Sequence, residues 1–195
     1  MNTRVFIPVG KAEFYRFIAT DPEGRFEYEG GRIVQQMTGG TQIHAIIARR
    51  ISVSIEKQID PSRWIVLTDR GVETDETVRF PDVVVEPADG RHSSLSALHP
   101  AVIVEVLSPS TMALDLDRKP REYMSLPSLL AYVVASQTDA ACLGWLRGEG
   151  GDFPTEPKEY TRPDSIVVAK LGVTLDLAEI YRGLQFPPAD GPTHA

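Results

Sequence analysis

The chain has 195 residues, 42% hydrophobic and 24% charged, enough for one sizeable core and cramped for two. A formal charge of −7 and an isoelectric point near 5.1 exclude a general nucleic-acid coat protein, because backbone binding is driven by Lys and Arg. Local nucleic-acid binding stays open if the acids include a metal site and basic side chains cluster elsewhere. No apolar run reaches the ~18 residues of a membrane span, and the apolar stretch in "MNTRVFIPVGKAEF" is too short for a secretory signal. The lone Cys142, in "AACLGWL", excludes an internal disulfide and fits a reducing, cytoplasmic compartment.

In chain order, "KAEFYRFIA" (11–19) predicts a short amphipathic helix, which "DPEG" breaks. "RFEYEGGRIVQQM" alternates about a Gly-Gly pair and predicts a hairpin, Arg25 to Tyr28 against Arg32 to Gln36. From Gln42 to Ile59, six isoleucines at helical spacing predict the longest helix. After "DPSR" the runs become short, Val-rich and bounded by Gly, Pro and Asp: "WIVLT", "TVRFPDVVVEP", "AVIVEVL", "LLAYVVAS" and "ACLGWLR" read as strands. "LDLDRKPREYMSL" has helical character, so the strands on either side of it should pair in parallel through a crossover. "EPKEY" and "DSIVVAKLGVTL" predict late strands and "LDLAEIYRGL" a closing helix. The expectation is one α/β domain over 1–186 with a mixed sheet, and a mobile Pro/Gly-rich tail over 187–195.

Two acids interrupt this apolar pattern. In "AVIVEVL" both strand faces are apolar, so Glu105 should be covered on each side, and an ionised carboxylate there costs several kcal/mol unless paired or metal-bound. Asp82 opens "DVVVE" straight after Pro81 and shares a face with Val84. Adjacent strands would bring both carboxylates to one spot, a donor set suited to Mg²⁺ or Mn²⁺. The alternatives are a turn role for Asp82 and an Arg partner for Glu105. Downstream, Ser108, Ser110 and Thr111 are capping residues that turn the chain toward a helix. Asp115, Lys119 and Tyr123 follow at spacings of four and share a face on a continuous helix. Lys119 either aims back at the carboxylates to hold a water attacking a phosphate or belongs, with Asp115, to a solvated salt-bridge face.

These residues resemble the PD-(D/E)XK nuclease superfamily. More narrowly, "PDVVVE", "VIVEVLSPST", the Asp115…Lys119…Tyr123 spacing, "LPSLLAYVV" and the hairpin "RFEYEGGRIVQQM" resemble the Uma-type restriction endonucleases, a bacterial family, over about residues 11–180. The resemblance implies a restriction-endonuclease-like mixed sheet flanked by helices, with an N-terminal helix and hairpin. It implies a metal held by Asp82, Glu105 and the backbone carbonyl of Val106. The superfamily's catalytic Lys lies two residues after the acid, where this chain has Leu107; Lys119 matches the migrated position of the Uma-type pattern. Glu27 matches the hairpin acid that completes the metal's acidic environment. His44 matches the histidine opening the long helix, as a ligand or as a packing residue. Pro120 departs from the pattern and places Lys119 at or before a helix start. Ala131 and Ser136 stand where many relatives carry Glu and Asp.

The function this implies is a Mg²⁺- or Mn²⁺-dependent endonuclease acting on DNA, with Arg118 and Arg121 near the backbone and a homodimer to cut two strands. The alternative from another class is a nuclease-fold interaction module without turnover. A two-carboxylate glycosidase would need exposed aromatic platforms, and only Trp64 and Trp145 are available, both in strand-like apolar runs.

Overall fold

The computed structural model describes residues 8–21, 25–36, 40–90, 93–107 and 114–186. Among them no helix is long and apolar enough to cross a membrane. The tail 187–195 and Ser108, Ser110 and Thr111 lie outside the described residues.

Helix α1 (Lys11–Thr20) begins with the Glu13 carboxylate accepting from the Gly10 N–H at 2.8 Å. It buries Phe14 and is tied down by Lys11 and Tyr15, whose polar ends meet Glu73 at 3.1 and 2.7 Å. Strands β1 (Phe26–Glu29) and β2 (Arg32–Gln35) form the expected hairpin. Gly30 and Gly31 take φ of +49° and +90° at its turn, which side chains rarely adopt. Helix α2 (Gln42–Glu56) buries Ile47, Ile51 and Ile55, ending slightly before the expected Ile59.

The mixed sheet flanked by helices is six-stranded. Its order is β11-β10-β9-β8-β6-β3, built from β3 (Trp64–Leu67), β6 (Val83–Pro87), β8 (Val102–Val106), β9 (Ala131–Ala135), β10 (Ala141–Leu146) and β11 (Lys158–Thr161). Strands β8 and β9 pair in parallel, as the intervening helical segment predicts. A second, five-stranded sheet of order β2-β1-β5-β4-β7 includes β4 (Gly71–Glu73), β5 (Thr77–Arg79) and β7 (Ser96–Ala97). Strands β12 (Ser165–Val168) and β13 (Val173–Asp176) form a separate hairpin, and the closing helix α4 spans only Leu177–Ile180.

One sequence reading needs correction here. "TVRFPDVVVEP" reads as a single strand, yet its halves, β5 and β6, belong to different sheets. Pro81 lacks the N–H a ladder needs and fixes φ, so neither sheet continues through it.

All five residues of β8 are buried, so it is central, as its two apolar faces predict. On one face Val102, Val104 and Val106 pack with the α2 isoleucines. On the other Ile103 packs with Val84, Tyr123, Leu129, Tyr132 and Trp145. Trp145 is stacked on Tyr132 with ring centroids 5.5 Å apart, so it offers no exposed sugar platform. Cys142 lies 3.5 Å from the Tyr181 hydroxyl, and burial pushes its thiol up to about 11, which makes it inert rather than nucleophilic.

Candidate active site

The β6–β8 ladder pairs Val83 with Val104, so the residues beyond it, Asp82 and Glu105, stand level at its end. Where a longer β6 would have bonded Val106, the Asp82 carboxylate does so instead. Its Oδ2 accepts from the Val106 N–H at 2.7 Å. A strand residue turns its N–H and C=O to the same edge, so the Val106 carbonyl also faces that side.

The other oxygen of Asp82, Oδ1, meets His44 Nε2 at 2.9 Å. His44 lies in the first turn of α2, where its own N–H is capped by Thr41 Oγ1 at 3.1 Å. Thr41 in turn donates to Gln137 Oε1 at 2.6 Å, and Gln137 Nε2 donates to the Leu107 carbonyl at 2.6 Å. The helix start is thereby stitched to the end of β8. His44 is thus a polar partner of Asp82, and not simply a packing residue.

Glu105 meets a different set of partners. Its Oε1 accepts from Lys119 Nζ at 2.7 Å and from the Tyr123 hydroxyl at 3.1 Å, and all three side chains are buried. The carboxylate thus meets the lysine of the candidate site. A π-helical turn over Leu114–Arg118 leads into α3 (Lys119–Met124). Pro120 sits in the first turn of α3, where a missing N–H is harmless, and Lys119 is the first residue of α3. From there Lys119 and Tyr123 reach one carboxylate oxygen together. Burial, with the Glu105 charge adding to it, raises the Tyr123 hydroxyl well above its ordinary value, so it remains a proton donor. The side chain of Asp115 lies outside the described residues.

Beside this group is a buried cation that sequence reading missed. Arg79, at the end of β5, is fully buried and contacts three carboxylates. Its Nε and Nη2 each donate to Glu122 at 2.9 Å, and Nη1 donates to Glu27 at 2.7 Å and Glu29 at 2.5 Å. Glu27 also accepts from Gln36 Nε2 at 2.9 Å and from the Phe80 N–H at 3.5 Å. The signal was available: a charged residue inside the apolar "TVRF" run poses the same question as Glu105 does in "VIVEVL". The exposed Arg118 meets the mostly covered carboxylates of Glu29 at 3.2 Å and Glu122 at 3.8 Å, and Arg121 meets Asp117 at 2.6 Å as an exposed pair of small net worth.

Burial raises the Glu29 carboxyl, but hydrogen bonding and charge from Arg79, then Arg118, outweigh it and hold it below its ordinary 4.5. A depressed carboxyl stabilises the fold fully above its unfolded value and loses that contribution as pH falls through the folded one. Glu29→Gln is therefore expected to destabilise at pH 7, and its gap to the parent should close as pH drops below 4.5. Urea unfolding across that range checks the sign; a gap that widens in acid refutes it.

A model of the family described as "Putative restriction endonuclease", Uma2, matches residues 12–181. The chain belongs to the Uma2 family. An uncharacterized Synechocystis protein, slr1290, is 32% identical over 167 residues, covering 83% of this chain and 86% of that one. Among solved structures, a nuclease of the DUF820 group from Anabaena variabilis, described as putative, aligns with a TM-score of 0.71. It covers 89% of this chain and 98% of its own at 15% identity, a likeness of fold.

In this Uma2 protein the described residues contain no group of three His, Cys, Asp or Glu side chains placed to hold a metal. The donors at the strand ends are two carboxylates and a main-chain carbonyl. Those are hard oxygens, and Mg²⁺ takes one or two protein carboxylates while keeping several waters, so the donor chemistry suits such an ion.

Proposed function

We propose that this Uma2 protein is an endonuclease hydrolysing phosphodiester bonds of DNA with Mg²⁺ or Mn²⁺ held by Asp82, Glu105 and the Val106 carbonyl. The observation carrying this reading is the level placement of Asp82 and Glu105 at adjacent strand ends, with Lys119 Nζ 2.7 Å from Glu105. A cation bound there supplies Lewis-acid charge to the scissile phosphate and lowers the pKa of a water. Lys119, held at the first residue of α3, offers an ammonium to oxygens that gain charge as the phosphate is attacked. Tyr123 keeps its proton and holds the Glu105 carboxylate in place. His44 does the same for Asp82, and Arg118 and Arg121 exchange their carboxylate partners for DNA phosphates.

Purified protein with Mn²⁺ is expected to cleave supercoiled plasmid or single-stranded DNA and to stop when EDTA is added. Intact DNA together with no heat of Mn²⁺ binding overturns the reading. His44→Ala is expected to weaken Mn²⁺ binding or cleavage by about 10–100-fold, the usual cost of removing a residue that orients a metal ligand. An unchanged titration curve in that variant removes His44 from the site.

One observation favours a non-catalytic interaction module instead. Both Asp82 oxygens and Glu105 Oε1 already have protein partners. Mn²⁺ calorimetry separates the two readings, because the module binds no cation there.

A further inference from the structure

We infer that Arg79 is a positioning residue for the candidate site: its two-pronged bond to Glu122 sets where α3 presents Lys119 and Tyr123 to Glu105. This rests on the proposed role of Lys119 and adds the device that places it. Arg79 lies in the hairpin sheet and its guanidinium is buried, so it cannot touch DNA. Two parallel N–H donors on one carboxylate fix both distance and orientation, which a lysine ammonium cannot do. Glu122 is three residues after Lys119 and one before Tyr123, on a helix of only six residues. Pinning Glu122 therefore fixes the rotation and axial position of the whole helix. Glu27 and Glu29 hold the other end of the guanidinium to β1 of the same sheet, so Arg79 bolts α3 to a rigid strand pair. The β5 strand that carries Arg79 ends two residues before Pro81, and Asp82 follows. One short segment thus supplies a metal-site acid and the anchor for the lysine opposite it.

The test measures Lys119 directly. Intact parent, Arg79→Lys, Glu122→Ala and Glu29→Gln proteins are treated with an N-hydroxysuccinimidyl acetate reagent, and acetylation of Lys119 is followed by peptide mass spectrometry. Arg79→Lys keeps the charge and loses the fork. It and Glu122→Ala are expected to label Lys119 about tenfold faster or more, as local opening of α3 becomes easier. Glu29→Gln leaves the fork intact and is expected to accelerate labelling far less than either. Parent-like labelling in the first two variants, or equal acceleration in Glu29→Gln, overturns the inference. If Arg79→Lys does not fold, Glu122→Ala carries the comparison, since that carboxylate is partly exposed. In Mn²⁺-dependent cleavage, Arg79→Lys is expected to lower kcat at unchanged KM. Adding Lys119→Met to it should cost no more than Lys119→Met alone, because both changes remove one interaction. Fully additive losses overturn the inference. Should the parent cleave nothing, the endonuclease reading fails while the labelling result still decides the role of Arg79.

Discussion

Glu105→Ala is expected to unfold about 3–5 kcal/mol more easily than the parent and to lose DNA cleavage altogether. The substitution takes the Glu105 carboxylate from the Lys119 ammonium, which is only 4% exposed, and removes an acceptor of the fully buried Tyr123 hydroxyl. The size comes from removing one member of a buried ion pair, which costs more than the attraction lost. The double substitution Glu105→Leu with Lys119→Met replaces the pair by apolar side chains of similar volume. It should regain most of the stability and none of the cleavage. Urea unfolding and plasmid cleavage on the three proteins separate the two roles of the pair. A single variant as stable as the parent would show that Lys119 escapes to water, and the buried pair would lose its importance.

Asp82→Asn should behave in the opposite way, with little change in stability and a large change in chemistry. The amide oxygen can still accept from the Val106 N–H, so unfolding should shift by no more than about 1 kcal/mol. The charge that would hold a divalent cation is gone. Mn²⁺ binding and cleavage are expected to fall by about 10²–10⁴-fold, the equivalent of several kcal/mol of Lewis-acid stabilisation. Calorimetry with Mn²⁺, run beside the unfolding experiment, checks both halves. Cleavage at the parent rate in this variant would remove Asp82 from the chemistry.

Much of this was legible because burial and charge conflict visibly in a sequence. Glu105 announces itself among valines, and the isoleucine spacing of α2 and the Gly-Gly turn of the hairpin follow from local periodicity and backbone conformation. The spacing of Lys119 and Tyr123 placed both on one helical face, and they meet on Glu105. Pro120 looked like an obstacle, yet the first turn of a helix is the place that tolerates it. Arg79 was missed because its partners come from β1 and from α3, 43 to 52 residues away along the chain.

The residues alone determined which carboxylates need a partner, most of the helices and strands, and the cost of leaving an acid unpaired in an apolar run. Those are properties of local periodicity and solvation. The tertiary structure decided the choice of partners: His44 for Asp82, Lys119 for Glu105, Glu122 for Arg79, and a break at Pro81 that divides one apolar run between two sheets. Pairing of that kind depends on which strand edges and helix ends come into register, and no local pattern carries that information, because it is set when distant segments bury their apolar faces together.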